Sequence, residues 1–259
     1  MQLADTLKPN CDMWAVTADT THCQCTAPAS LLGGNHTFVE IGANDGVHMS
    51  NSWFFEKHLG WKGMCVEANP VVYRRLQANR PGCMHVNALV GPTPTGEPPQ
   101  LPFLAFHRPE GVDKQNTARD WETGLAGVES TDAPHKEIRS LAAAQAFAKR
   151  TGLLVERTAL PVIPFATLFE QHGIRRVDFM SVDVEGAEFR VLSSIDFRRV
   201  WIRMIATETT DANVTALLRR KGFRDINVAF ALGDHLWVNE RHPHVHGEVA
   251  RARSARVRV

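Results

Sequence analysis

Residues 37–46 read Thr-Phe-Val-Glu-Ile-Gly-Ala-Asn-Asp-Gly. The β-branched and aromatic residues before Gly42 predict a short buried strand that ends at this glycine. From Glu40 to Gly46 the pattern is Glu-x-Gly-x-x-x-Gly, and glycines in such a turn let a ligand approach the backbone closely. Because open α/β sheets bind ligands beyond the carboxyl ends of their strands, this stretch predicts a binding loop. Its spacing differs from Gly-x-Gly-x-x-Gly and from a Walker loop, which argues against NAD and ATP.

Strands and helices alternate on both sides of a long interruption in the chain. After the first strand the predicted elements are a helix over 50–58, a strand over 63–67, a helix from Asn69-Pro70 to residue 80 and a strand over 83–90. The alternation resumes with helices over 165–172, 187–192 and 212–221, strands over 176–184 and 203–208, and a terminal hairpin of 223–230 and 235–239. This order predicts an α/β fold with a mostly parallel seven-stranded sheet, helices on both faces and a terminal antiparallel hairpin.

The interruption covers residues 91–158. It begins with a turn-rich Gly/Pro segment and contains a predicted alanine-rich helix over 135–150, and Phe103 and Phe106 are expected to form its small core. We therefore predict an irregular N-terminal segment (1–33), a main domain (34–240) with an insertion (91–158), and a His- and Arg-rich tail (241–259). Insertions of this length are commonly lids or binding loops.

Composition excludes some classes of protein. The 259 residues carry 29 basic and 28 acidic side chains, a net charge of +1, which argues against a dedicated nucleic-acid binder. The sequence has no run of 18 apolar residues and no signal-peptide pattern at its start, so no transmembrane segment is expected.

Five cysteines leave the compartment open between cytoplasm and secretory lumen. Cys11 has a possible disulfide partner in Cys23 or Cys25, which would require an oxidising environment. Cys65 and Cys83 look like ordinary buried thiols.

Polar residues also follow the second and third predicted strands. Glu67 ends the second strand, where a carboxylate can accept both hydroxyls of a ribose, although it could equally be a solvated strand-end group. Asn87 lies near the end of the third, where its amide could bind an adenine edge or form a turn. Together with the first loop they suit a nucleoside. S-adenosylmethionine fits best, because its ammonium and carboxylate groups need partners near that loop.

The segment Val-Asp-Phe-Met-Ser-Val-Asp-Val-Glu-Gly-Ala-Glu-Phe-Arg-Val-Leu (177–192) places several carboxylates just beyond a predicted strand. With residues 38–46, 66–70 and the Asn87-Ala88 pair, it resembles the FkbM family of methyltransferases. The resemblance implies a class I methyltransferase (Rossmann-like) fold and S-adenosylmethionine as methyl donor. It further implies methylation of a hydroxyl on a sugar, glycan or similar small natural product.

On this basis we expect the cofactor to contact the first loop and the ends of the neighbouring strands. The expected cofactor-binding residues are Glu40, Gly42, Asn44, Asp45, Gly46, Glu67, Ala68, Asn69, Asn87, Ala88 and Asp183.

Methyl transfer to a hydroxyl needs a base or a metal ion that acidifies the hydroxyl. Asp183 is expected to face cofactor and acceptor because it lies nearest the strand end, and Glu185 is expected to act as base or ligand. Glu208 ends the next strand, and His235 is a further candidate base. Asp183, Glu185 and Glu208 are also a candidate site for Mg²⁺ or Mn²⁺. Glu188 could instead cap the following helix or form a salt bridge within it.

Two other functions stay open at this point. One is methyl transfer to nitrogen or to a carboxylate. The other is a non-catalytic domain of the same fold that binds glycans or protein partners.

Overall fold

The computed structural model describes residues 36–93, 100–109, 125–129, 140–208, 211–226 and 235–241. Its strands are β1 (Thr37–Ile41), β2 (Lys62–Val66), β3 (Met84–Val86), β4 (Leu89–Val90), β5 (Gln100–His107), β6 (Gly127–Val128), β7 (Leu154–Ile163), β8 (Arg176–Val182), β9 (Trp201–Thr207), β10 (Phe223–Asp225) and β11 (His235–Asn239). Its helices are α1 (Trp53–Leu59), α2 (Pro70–Asn79), α3 (Leu141–Thr151), α4 (Phe165–Gln171), α5 (Glu188–Ser193) and α6 (Ala212–Arg220). The predicted N-terminal segment, the tail from residue 242 onward, and Cys11, Cys23 and Cys25 lie outside the described residues.

The main sheet has seven strands in the order β10-β11-β9-β8-β1-β2-β3. Neighbouring strands are parallel from β3 to β9, whereas β11 is antiparallel to both β9 and β10. This arrangement confirms the predicted mixed α/β fold, with a mostly parallel sheet and an antiparallel end. The predicted strand over 223–230 is described only to residue 226, where β10 has already ended.

The strand register brings the ends of the main strands to one edge. A single row of paired residues crosses six strands: Val86, Val66, Ile41, Val182, Thr207 and His235. The residues that follow this row on the parallel strands therefore leave the sheet side by side. We call this boundary the carboxyl edge.

Strand alternation divides the helices between the two faces of the sheet. Val39 and Ile41 lie in the core that α4, α5 and α6 cover, whereas Phe38 packs with residues of α1 and α2 on the other face. Helices therefore cover both faces, as the sequence predicted. Among the described residues, no helix is long and apolar enough to cross a bilayer.

The predicted strand over 83–90 is wrong as a single element. It breaks into β3, which pairs with β2, and β4, which pairs with β7 in a separate sheet. The break lies at Asn87, whose amide nitrogen donates to the carbonyl oxygens of Glu67 and Ala68 at 2.7 and 2.9 Å. These bonds hold Asn87 against the β2 end while the chain after it turns towards β7.

The described part of the 91–158 region is more regular than expected. Strands β4, β7, β5 and β6 form a second sheet in that order, and β7 continues beyond residue 158 to Ile163. Helix α3 begins at Leu141 rather than near 135, with the Ser140 side chain as its cap. Phe103 and Phe106, both on β5, are buried in the hydrophobic clusters of this unit, which confirms their predicted place in its core.

Cys65 and Cys83 are joined in a disulfide, with their Cα atoms 6.2 Å apart. The expectation of two ordinary thiols is therefore wrong. Cys65 pairs with His85 across β2 and β3, and Cys83 lies two residues before His85. The two cysteines are thus diagonal neighbours on one face, a distance that a disulfide spans.

Candidate active site

The loops that follow β1 and β8 meet at Gly42. Its φ is +86°, and a Cβ at this position would lie 1.8 Å from the carbonyl oxygen of Asp183. The Asp183 nitrogen in turn donates to the Ile41 carbonyl at 3.0 Å. Only glycine therefore allows the ends of β1 and β8 to pack this closely.

The loop after Gly42 is fixed by its own backbone and by Asp45. Gly42 and Ala43 both donate to the Val66 carbonyl at 3.0 Å. Asp45 accepts from the backbone nitrogens of Val47 and His48 at 2.9 and 2.8 Å, so this side chain shapes the turn. Its expected contact with the cofactor stays a prediction.

Glu67 joins the first loop to the end of β2. Its two carboxylate oxygens accept from the backbone nitrogens of Asn44 at 2.8 Å and Asn69 at 2.7 Å. Burial outweighs these bonds and raises the pKa of Glu67 to about 7. The Ala68 backbone also donates to this carboxylate, and because a carboxylate has about four acceptor positions, the group retains capacity for a ligand hydroxyl.

The other residues expected to bind the cofactor around β2 and β3 have structural tasks. Asn69 is buried; its oxygen caps α2 at the Val71 nitrogen, and its amide donates to the Phe106 carbonyl at 2.9 Å. Asn87 uses its amide nitrogen to hold the loop that carries Glu67, and its expected contact with an adenine stays a prediction. Ala88 is buried, and Ala68 lies beside the hydrophobic core of the second sheet.

Glu40 lies on the sheet face rather than at the carboxyl edge, because strand alternation turns it away from Ile41. It is buried and accepts from Ser50, from the Asn51 backbone and from both the backbone and the hydroxyl of Ser52. Burial raises its pKa, and the nearby guanidinium of Arg80 opposes that rise. Glu40 therefore anchors the loop before α1, and its expected contact with the cofactor stays a prediction.

Arg80 is the organising residue that the sequence did not reveal. It is fully buried, its Nη1 lies 3.7 Å from a Glu40 oxygen, and its Nε pairs with Glu56. It also donates to the Gly46 carbonyl at 2.9 Å and to the Ser52 hydroxyl at 3.1 Å. The position of Arg80 at the end of a helix gave no indication of this role in the sequence. The only hint was an acidic residue, Glu40, inside the apolar strand β1.

Three carboxylates converge beyond β8 and β9, as the sequence predicted. One oxygen each from Asp183, Glu185 and Glu208 lies within 4.8 Å of the others. Asp183 and Glu185 are partly buried and Glu208 is exposed. Glu185 has a φ of +53°, followed by Gly186 at +93°, so a left-handed turn brings Glu185 back towards the strand ends.

Glu188 does not belong to this cluster. It is buried and accepts from the backbone nitrogens of Val184 at 3.3 Å and Gly186 at 3.1 Å. It therefore holds the turn that presents Glu185. Both of these bonds come from backbone nitrogens before α5, and its predicted role as a cap of that helix stays a prediction.

His235 lies at the same edge, opposite Thr207 in the antiparallel pairing of β11 with β9. Glu208 directly follows Thr207, so His235 is one strand away from the acidic cluster. The Nδ1 atom of His235 lies 2.8 Å from a carboxylate oxygen of Asp225.

Taken together, the fold and the site define an α/β protein with a glycine loop, a carboxylate that ties this loop to the end of β2, and an acidic cluster, all along one sheet edge. The model of the methyltransferase FkbM domain matches residues 40–224. The chain therefore belongs to the FkbM methyltransferase family.

Comparison with solved structures shows distant likenesses, among them one to a methyltransferase. The precorrin-6y C5,15-methyltransferase of Geobacter metallireducens GS-15 is 13% identical, with a TM-score of 0.33 over 80% of this chain and 78% of that one. A search of curated proteins gives no significant match.

Proposed function

We propose that the protein is an S-adenosylmethionine-dependent O-methyltransferase that acts on a hydroxyl of a carbohydrate, glycan or similar natural product. One observation carries the proposal: the register row puts the glycine loop and Glu67 beside three converging carboxylates. The family match and the mostly parallel sheet with its antiparallel end support a class I methyltransferase arrangement. The proposed domain covers residues 34–240, with 91–158 as an insertion.

In this proposal the cofactor lies along the carboxyl edge. Glu67 accepts hydrogen bonds from the two ribose hydroxyls, and the adenine ring lies towards Asn87 and Ala88. The methionine part lies against the loop from Gly42 to Gly46. This places the sulfonium near Asp183, the residue whose carbonyl already contacts Gly42.

The reaction is an in-line displacement at the methyl carbon. The acceptor oxygen forms the new C–O bond, the C–S bond breaks, and its electron pair stays on sulfur as a thioether. Holding the three atoms in line supplies about 7–11 kcal/mol of the barrier. The hydroxyl proton must go to a side chain, and a positioned base contributes roughly 10²–10⁴-fold. Glu185 and His235 are the proposed bases, and Asp183 orients the hydroxyl.

A divalent cation fits the donor set at this edge. Asp183, Glu185 and Glu208 offer one carboxylate oxygen each within 4.8 Å, the hard ligands that Mg²⁺ and Mn²⁺ prefer. Bound there, such an ion would lower the pKa of a coordinated hydroxyl. With the ion present these side chains would hold the ion, and without it they would bind and orient the acceptor directly.

Calorimetry with S-adenosylmethionine and S-adenosylhomocysteine tests the cofactor part of the proposal. We expect both to bind the wild-type protein and Glu67→Ala to weaken both severely. Glu170→Ala is the control, because Glu170 is exposed on α4. A folded wild-type protein that binds neither compound contradicts the proposal.

Acceptor screening by mass spectrometry tests the second part. A carbohydrate or glycan that gains one methyl group on oxygen supports it. Methylation of an amine or a carboxylate instead would overturn O-methylation. If Asp183→Asn and Glu185→Gln leave the biological activity unchanged, the domain is non-catalytic.

A further inference from the structure

Asp225 and His235 face each other across the antiparallel end of the sheet. Asp225 pairs with Trp237, and His235 lies two residues before Trp237 on the same strand. Residues two apart on a strand share a face, so the two side chains are diagonal neighbours. The contact between Nδ1 and the carboxylate oxygen is 2.8 Å long, and both side chains are partly exposed.

This contact determines which imidazole nitrogen carries the proton. An ionised carboxylate can only accept, so the Nδ1 of His235 must be the donor. In the neutral ring the lone pair then lies on Nε2. Asp225 thus selects the tautomer in which Nε2 is a base.

The same contact orients the ring at the carboxyl edge. His235 pairs with Thr207, and Thr207 pairs with Val182, which directly precedes Asp183. At about 5 Å between neighbouring strands, His235 is one strand from the β9 end and two from the β8 end. The imidazole of His235 therefore borders the region in which an acceptor would contact Glu208 and Asp183.

We propose that Asp225 is a positioning residue: it holds His235 in the Nδ1-protonated tautomer so that Nε2 takes the proton from the acceptor hydroxyl during methyl transfer. This inference rests on the proposed function. As the C–O bond forms, the proton moves to Nε2 and the resulting imidazolium is stabilised by the Asp225 carboxylate. Solvent removes the proton after the thioether product leaves.

The tautomer can be measured without any turnover. Proton–nitrogen correlation NMR of the imidazole rings reports which nitrogen is protonated, and the spectrum of His235→Gln identifies the signals of His235. We expect an Nδ1–H tautomer in the wild-type protein and a mixture of tautomers in Asp225→Ala. An Nε2–H tautomer in the wild-type protein, or an unchanged ring in Asp225→Ala, would overturn the inference.

Kinetics on an acceptor found by the screen test the consequence. We expect Asp225→Ala and His235→Gln each to lower kcat by roughly 10²–10⁴-fold with little change in KM, and the double variant to be no slower than His235→Gln. Asp225→Glu should restore part of kcat. Asp196→Ala is the matched control, since this residue also forms an ion pair, with Arg198 at 3.1 Å.

The two failures can be told apart. If the wild-type protein methylates its acceptor while Asp225→Ala keeps the wild-type kcat, Asp225 has no positioning role and the proposed function stands. If the folded protein binds no S-adenosylmethionine, the proposed function fails, and the role of Asp225 in the reaction fails with it.

Discussion

The Glu67 carboxylate accepts a hydrogen bond from the backbone nitrogen of Asn44 at 2.8 Å, so the loop after β1 is tied to the end of β2. The second oxygen of Glu67 accepts from Asn69, at the start of α2. The carboxylate is therefore held in one orientation before any ligand arrives. Such preorganisation lowers the entropic cost of binding.

We expect cofactor affinity to rise with pH through neutrality. Burial raises the pKa of Glu67 to about 7, and only the ionised form accepts from both ribose hydroxyls with full strength. Below that pH the association constant for S-adenosylhomocysteine should fall by up to tenfold per pH unit. Calorimetry between pH 6 and 8 measures this fall. Glu67→Gln should bind more weakly with a flatter pH profile, and Glu170→Gln should behave like the wild type.

The raised pKa of Glu67 also predicts how the stability of the ligand-free protein depends on pH. The folded-state pKa of about 7 lies above the ordinary value of 4.5, so between these pH values the folded state binds more protons than the unfolded state. The contribution of Glu67 to stability is thus present below about pH 4.5 and is lost as pH rises through 7. Urea unfolding should show a steeper fall in this window for the wild type than for Glu67→Gln. Parallel curves would contradict the raised pKa.

Alanine substitutions at two glycines distinguish the energetic cost of backbone strain from that of steric overlap. Gly42 and Gly173 both have positive φ, +86° and +65°, but a Cβ at Gly42 meets the Asp183 carbonyl oxygen at 1.8 Å and one at Gly173 meets nothing within 4 Å. Gly173→Ala should cost about 1–2 kcal/mol from conformation alone. Gly42→Ala should cost about 1–3 kcal/mol more and abolish cofactor binding, because β1 and β8 must move apart. Equal unfolding free energies for the two variants would exclude the overlap.

Replacing the buried Arg80 should strongly lower the free energy of unfolding. Arg80→Met leaves Glu40 buried without its cation, which typically costs about 3–5 kcal/mol. Arg75→Met is the control, since Arg75 is exposed on the same helix. Adding Glu40→Gln to Arg80→Met should recover part of the loss, because a neutral amide needs no counter-charge. Chemical denaturation of the single and double variants measures the coupling.

The main sheet could be predicted because its signals are local. Strand β8 is a continuous buried run, typical of a central parallel strand, and the Asn69-Pro70 pair marks the start of α2. The convergence of Asp183 and Glu208 followed from two neighbouring parallel strands. None of these required knowledge of a distant contact.

The second sheet could not be predicted, because its pairing is long-range. β5 contains Pro102 and β7 contains Pro161, and a proline in a strand argues against that assignment. The break at Asn87 depends on carbonyl groups of another strand end. The role of Arg80 likewise depends on carboxylates far from it in the sequence.

The last prediction concerns metal binding by the acidic cluster of Asp183, Glu185 and Glu208. Three carboxylate oxygens within 4.8 Å repel one another by about 1 kcal/mol per pair even in water, and a divalent cation converts that repulsion into binding. We expect the wild-type protein to bind Mn²⁺, measured by the loss of the free-ion resonance signal, and Asp183→Asn to weaken binding strongly. Glu170→Gln should bind Mn²⁺ as the wild type does. Because Glu67 lies at another strand end, chelation should lower methyl transfer and leave the affinity for S-adenosylhomocysteine unchanged. Methyl transfer that survives exhaustive chelation would contradict a role for a divalent cation in the reaction.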